Sequence, residues 1–199
     1  QVKGERYRPG QRMRLYLSEV MRSGQGTQLI VSRTHRNLLK RLMELEVPEI
    51  ASGVVEIKSI AREAGSRSKV AVTSRQENID PLGSCVGPRG IRIQNIVTEL
   101  GGEKIDVVLW SEDHKAYIAS ALSPAKVIDV EINQADVSAT VIVPDRQLSL
   151  AIGKDGQNAR LAAKLTGWKI DIKSASMAEK EHAGVQEILA ESLPVPEVS

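Results

Sequence analysis

The stretch VGPRGIRIQNIVTELGGEKIDVV, Val86 to Val108, returns as IGKDGQNARLAAKLTGWKIDIK, Ile152 to Lys173, with one residue fewer. Each copy is an apolar residue, Gly-x-x-Gly, a helix-length run, a glycine, and then Lys-Ile-Asp opening an alternating segment. Self-similarity of this kind decides the architecture before any single element does. One Gly-x-x-Gly among 15 glycines would carry little weight. Two, and only two, in matched surroundings carry much more.

The surroundings match on both sides. In NIDPLGSCVG, Asp80 is placed to cap a helix with Pro81 at its first position, and Leu82, Cys85 and Val86 fall on one face. In VPDRQLSLAIG, Asp145 takes the capping place and Leu148, Ala151 and Ile152 repeat the face. Upstream, residues 53–63 and 68–74 alternate around the turn cluster Ala64 to Arg67, and residues 125–132 and 137–143 do the same around Asn133 to Asp136. A helix precedes each pair. Thr34 caps one whose apolar face is Leu38, Leu39, Leu42, Met43 and Leu45 and which stops at Val47-Pro48; residues 113–122 form the other.

The order helix, strand, strand, helix, GxxG, helix, strand thus occurs twice, which predicts an α+β fold of two small domains, residues 33–110 and 111–175, closely packed for want of a linker. Residues 1–32 differ. RMRLYLSEV and TQLIVSR are strands around a turn from Arg22 to Gly26, like the end of an all-β unit whose beginning is missing. Residues 176–199 are expected to form an acidic terminal helix and tail. Ser176 and Glu179 make a capping box there, and Val185, Ile188, Leu189 and Leu193 make a stripe.

Bulk properties narrow the function. Aromatic residues are 3% of the chain, with no Phe, so the cores are aliphatic and the aromatic stacking platform of many single-strand binders is absent. One cysteine and three scattered histidines provide neither a disulfide nor a metal set. With no signal peptide and no membrane-length apolar run, a cytoplasmic protein without membrane contact is expected. Residues 1–92 carry 17 Lys and Arg against 9 Asp and Glu, whereas residues 93–199 carry 10 against 16. The basic half points to a polyanionic partner, although basic surfaces are often merely solvated.

The loops give that partner a place. Gly87 and Gly90, like Gly153 and Gly156, let a sugar-phosphate backbone come close because they lack Cβ. The helix that follows each loop offers free N–H groups and a positive dipole end. Arg89 and Lys154 lie between the glycines, and Arg92 and Arg160 lie just beyond. This is the loop of a KH domain, whose GxxG clamps the backbone of about four single-stranded nucleotides. Bases would lie in an apolar groove floored by Ile93 and Ile105 in the first copy and Ala159 and Ile170 in the second; the same positions also suit plain core. A Walker loop is excluded, because Asp155 rather than Ser or Thr follows Gly153-Lys154. Carboxylates are scattered, Asp106 and Asp171 recur as strand positions, and Cys85 falls on a buried helix face, so no enzyme and no cofactor are expected.

With tandem KH units in this order, the residues resemble a definite family. EVPEIASGVVEIKSIAREAGSRSKVAV, IDPLGSCVGPRGIRIQNIVTELGGEKIDVV, ALSPAKV and LSLAIGKDGQNARLAAKLTGWKIDI are similar to the NusA family of bacterial transcription elongation, termination and antitermination factors, from Arg6 to about Ile172. The resemblance implies two tandem prokaryotic-type (type II) KH domains, preceded by the C-terminal strands of an OB-fold barrel that joins them in one RNA-binding face. It implies nascent single-stranded RNA and RNA polymerase as partners, together with other Nus factors and a ribosomal protein, for a monomer. It places Pro88, Arg89 and Arg92, and Lys154, Gln157, Asn158 and Arg160, on the loop and helix-start positions.

Two departures accompany it. The family's polymerase-binding domain and first barrel strands are absent, as in a fragment, and Asp155 stands where the family usually has glycine. A carboxylate there opposes phosphate and offsets Lys154, so the first loop is expected to grip more strongly than the second. A scaffold that uses the KH folds as rigid packing units, with the acidic helix as docking element, is the alternative.

Overall fold

The computed structural model describes residues 1–24, 26–181 and 183. A hairpin, β1 (Tyr16–Ser23) and β2 (Gly26–Ser32), leads into α1 (Arg36–Glu46), the short α2 (Pro48–Ala51), and strands β3 (Val55–Glu63) and β4 (Arg67–Ser74). Then come α3 (Pro81–Val86), α4 (Ile91–Glu99) and β5 (Lys104–Leu109). The second unit repeats this as α5 (His114–Ala121), β6 (Asp129–Asn133), β7 (Ser138–Val143), α6 (Leu148–Ile152), α7 (Gln157–Thr166) and β8 (Lys169–Ser174).

Each unit holds a three-stranded sheet in the order β3-β4-β5 or β6-β7-β8, whose first pair is antiparallel and whose second is parallel. A parallel pair needs a crossover between its strands. In both units the two helices and their GxxG turn form that crossover, which sets the loop at one end of the sheet.

The central strands differ. β7 buries alternate residues, whereas β4 is buried continuously from Ser68 to Val72. Val70 and Val72 pack with Leu38, Leu39, Leu42, Met43 and Ile96 from the helices of their own unit. On the opposite face Ala61, Ala71 and Val108 pack with Tyr117, Ile118, Ala121, Leu161, Ala162 and Leu165 from α5 and α7. The first sheet is therefore sandwiched between its own helices and those of the second unit, with one core inside the first unit and a second that runs across the junction.

Charge is built into this junction. Lys69 is fully buried; its ammonium lies 3.1 Å from Asp106 Oδ2 and donates to the Ser123 carbonyl at 2.7 Å. Burial pulls its pKa down and Asp106 opposes that shift. Burial alone would raise Asp106, but the Arg67 hydrogen bonds at 2.7 and 2.8 Å and the Lys69 charge leave it lowered. Arg62 makes a two-point contact with the buried Glu103, both bonds 2.9 Å, and Ser68 and the Gly65 N–H also donate to Glu103. Arg33 ties the N-terminal segment to the first unit through Glu5, the Arg14 carbonyl and Glu99. The hairpin itself stays open, with Leu17, Val20, Leu29 and Val31 exposed.

Several local expectations need correction. α1 is capped by His35, whose Nδ1 accepts from the Asn37 N–H, and not by Thr34. Leu45 is 66% exposed although its spacing from Leu38 and Leu42 suits the stripe; it is the penultimate residue of α1, where the helix ends ahead of Val47-Pro48. The first strand of the second pair starts only at Asp129, after the Leu122 to Ile128 connection. Asp145 does not cap α6; its carboxylate accepts from the Ser176 N–H at 3.1 Å. The terminal helix begins at residue 175, with Ser174 Oγ accepting from the Met177 N–H, so Ser176 is already inside it. The stripe from Val185 to Leu193 lies outside the described residues.

Candidate nucleic-acid interface

The two loops have the same backbone. Gly87 (φ 74°, ψ 174°) and Gly153 (φ 78°, ψ 170°) occupy a region that is essentially glycine-only. Here the packing role of glycine is real. A Cβ on Gly87 would meet Arg92 Cγ at 2.5 Å, and one on Gly153 would meet the Asn158 backbone nitrogen at 2.8 Å. The closing glycines differ from these. Gly90 and Gly156 are left-handed and precede α4 and α7 directly, with nothing within 4 Å of a Cβ at either position. No side chain caps either helix. Packing accounts for the first glycine of each loop, while the second leaves an open approach to an uncapped helix start.

Between the glycines, Arg89 (φ 54°, ψ 22°) and Asp155 (φ 52°, ψ 28°) are both left-handed. Asp tolerates this conformation through local hydrogen bonding, and Arg does not, so Arg89 holds a strained backbone of the kind that collects at functional sites. Pro88, Arg89, Lys154 and Asp155 are exposed. Each loop thus presents two side chains outward: a proline and a cation in the first, a cation and an anion in the second.

The residues past the loops turn inward. The Arg92 guanidinium donates to Glu49 at 2.9 Å and to the Ser84 carbonyl at 2.7 Å, bracing α4 against α2 and α3. Asn158 is 5% exposed, and its amide nitrogen donates to the Leu122 and Ala151 carbonyls, so it is a structural tie beneath the loop and not a surface contact. Gln157 donates to Glu63 and Ser66 of the first unit. Arg160 contacts Glu63 through Nε at 2.6 Å and the Asp155 carbonyl through a second nitrogen at 3.0 Å. The Arg160 hydrogen bond, against the opposing effect of burial, holds the Glu63 carboxyl at about 2. The family resemblance puts Gln157, Asn158 and Arg160 at the start of the helix after the loop, and it had no means of showing that the first unit stands on that side.

The groove residues also divide. Ile93, Ile105, Ala159 and Ile170 are half-buried, and Ile93, Ile105 and Ile170 pack against the cores. The exposed apolar side chains at the loops are others: Val86 (39%) and Ile91 (55%) flank the first, and Leu150 (47%) and Ile152 (37%) flank the second. Helical spacing puts two of these, Val86 and Ile152, on one face with Cys85 and Ala151, which are buried. The position of Val86 and Ile152 at the last residue of a short helix, directly before a glycine, was the available signal. Cys85 is fully buried, and burial pushes its thiol up to about 12, so it is no nucleophile at neutral pH. Asp106 is bound into the buried charge cluster, while Asp171 is exposed. Among the described residues no group of His, Cys, Asp and Glu could hold a metal ion, and no helix is long and apolar enough to cross a membrane.

A helix–GxxG–helix crossover joining two parallel strands, present twice in one body, defines a tandem KH protein. Residues 33–110 match the NusA-like first KH domain and residues 114–180 the NusA-like second KH domain. The chain is 59% identical over 180 residues to the transcription termination/antitermination protein NusA of Halalkalibacterium halodurans, covering 90% of this chain and 47% of that protein. The same protein of Bacillus subtilis is 59% identical, covering 90% of this chain and 48% of its own, and that of Rickettsia prowazekii is 41% identical, covering 99% and 41%. The chain belongs to the NusA family. It spans about half the length of the curated relatives it matches. The crystal structure of APE1850, at 22% identity and a TM-score of 0.50, covers 67% of this chain and 96% of its own, and shares the fold. The exposed apolar hairpin ahead of the KH units is consistent with the closing strands of an OB-fold barrel.

Proposed function

We propose that the chain is a non-catalytic module that holds single-stranded RNA through its two GxxG loops. In this reading it acts in transcription elongation, termination and antitermination as part of a NusA-like factor working on nascent RNA with RNA polymerase. The curated relatives carry termination and antitermination in their names, which supports the process. The observation that carries the RNA reading is the first loop: an exposed Arg89 on a strained backbone beside an open, glycine-fronted, uncapped helix start. Phosphate needs a positive group, close backbone approach and free N–H groups, and that loop assembles all three.

Pro88, Arg89 and the backbone of Gly87 and Gly90 form the main clamp, and Gly153, Lys154, Asp155 and Gly156 form the weaker one. Val86, Ile91, Leu150 and Ile152 supply the apolar contact to bases that aromatic residues supply elsewhere. Arg92, Gln157, Asn158 and Arg160 hold the loops in place. The first unit spans residues 33–110 and the second 111–175; the chain works in the cytoplasm, as a monomer, alongside other Nus factors and a ribosomal protein. Titration of unstructured RNA oligonucleotides at several salt concentrations tests the reading. Affinity should fall linearly with the logarithm of salt, because each neutralised phosphate releases counterions. Absent binding at low salt, or binding without a salt slope, would contradict it.

A further inference from the structure

The turn from β3 to β4 is the part of the first unit that meets the helix behind the second loop. It is anchored inside its own unit. The Ser66 N–H donates to the Glu63 carbonyl at 3.0 Å, the Lys104 N–H donates to the Ser66 carbonyl at 3.0 Å, and the Gly65 N–H donates to the buried Glu103, which Arg62 also holds. The carboxylate of Glu63 is therefore carried on a fixed support.

Three side chains of α7 converge on that carboxylate. Gln157, Arg160 and Lys164 follow one another at three and four residues, which puts them on one face of the helix. Gln157 Nε2 lies 2.9 Å from Glu63 Oε2 and 2.8 Å from Ser66 Oγ, and Lys164 Nζ lies 4.0 Å from Glu63 Oε1. Arg160 reaches both carboxylate oxygens, at 2.6 and 3.1 Å, and its third nitrogen donates to the Asp155 carbonyl at 3.0 Å, between the two glycines of the loop. A guanidinium is a rigid planar fork, so a group fixed at one edge fixes what is held at the other. Chiefly through the Arg160 hydrogen bond the Glu63 carboxyl is held at about 2, and it stays charged at neutral pH.

The first copy carries Ile91 and Gln94 at the places of Gln157 and Arg160, and both are exposed. Its loop has no neighbouring unit on that side, and its brace comes from Arg92 beneath. All three Arg160 nitrogens are engaged within the protein, so this residue reaches RNA only through the loop it holds. We infer that Glu63 of the first unit is a positioning residue for the second clamp, setting the backbone of Gly153 to Gly156 for phosphate through Arg160 and Gln157. The inference rests on the proposed RNA function and adds to it a residue 97 positions from Arg160 that belongs to the other unit.

Glu63→Gln keeps the shape of the side chain and removes its charge, and Arg160→Gln cuts the same link from its more exposed side; thermal denaturation checks that both variants keep the fold. Without RNA, amide shifts of Gly153 to Gly156 should move in each variant while those of Gly87 to Gly90 stay in place. With an unstructured RNA of about twelve nucleotides, each variant should bind about threefold more weakly, in keeping with a partly exposed ion pair. The double variant should be no weaker than either single one, because both changes break one link. Added to Lys154→Asp, Glu63→Gln should cost less than about 1.5-fold further, and added to Arg89→Asp it should keep its full effect of about threefold. Unmoved shifts at the second loop, an Arg160→Gln loss that adds to that of Glu63→Gln, or equal effects in the Lys154→Asp and Arg89→Asp backgrounds would overturn the inference. If the unaltered chain does not bind the RNA, the RNA reading fails instead, and the shifts without RNA still decide whether Glu63 sets the loop.

Discussion

β4 and β7 hold the same place in the repeat, between an antiparallel and a parallel neighbour, and yet they are different kinds of strand. Lys69 of β4 pairs in register with Asp106, and Thr140 of β7 pairs in register with Asp171. The first pair is a buried ion pair under a neighbouring domain, and the second is a half-buried threonine beside an exposed aspartate. Repetition of a motif repeats the backbone; what covers the motif decides its chemistry. The loops teach the same lesson. Gly87, Arg89 and Gly90 agree with Gly153, Asp155 and Gly156 to within a few degrees, but the second loop is fastened to the first unit by Gln157 and Arg160 through Glu63, while the first is braced within its own unit by Arg92.

The comparison breaks most visibly if the buried pair is cut. Lys69→Ala leaves Asp106 short of one partner in the junction and should cost about 3–5 kcal/mol, whereas Thr140→Ala should cost about 0.5 kcal/mol. Chemical denaturation of both variants reads the difference, and similar losses would mean that the sandwiching of the first sheet has no energetic consequence. Next come the loop glycines. Gly153→Ala puts a Cβ against backbone and Gly87→Ala puts one against a flexible arginine, in conformations that each carry strain of about 1–3 kcal/mol for other residues. Gly153→Ala should therefore show the larger drop in thermal midpoint.

Function separates the loops in the opposite direction. Arg89→Asp should weaken single-stranded RNA about tenfold and Lys154→Asp about threefold, because a charge-assisted contact is worth about 1.5–3 kcal/mol and Lys154 is already offset by Asp155. Asp155→Gly, which keeps the left-handed backbone and removes the anion, should tighten binding about twofold. Arg89→Gly is the sharper control. It relieves the left-handed strain, so the thermal midpoint should hold or rise while RNA affinity falls. A variant that loses both would make Arg89 a structural residue.

Much of this was legible in the residues. The repeat, the order of elements, the Asp80-Pro81 start of α3 and the two glycine loops all follow from local signals that act within a few residues. Asn158, Arg160 and Lys69 were not legible in the same way, because their partners are Leu122, Glu63 and Ser123, between 36 and 97 residues away. Thr34 and Asp145 failed as caps for a related reason. Either residue type can cap a helix, but His35 already serves α1 and the terminal helix claims Asp145. Val86 and Ile152 have the right spacing for a core, and only the short helices ending at the loops leave them outside.

The central claim is that one backbone, built twice, yields a strong clamp at Gly87 to Gly90 and a weak one at Gly153 to Gly156. Amide chemical shifts of the isotope-labelled chain, followed during titration with an unstructured RNA of about twelve nucleotides, test it most directly. The account predicts that resonances of Gly87, Arg89, Gly90 and Ile91 move first and furthest and those of Gly153 to Gly156 later and less. Shifts that appear first at Gly153 to Gly156, or at neither loop, would contradict it.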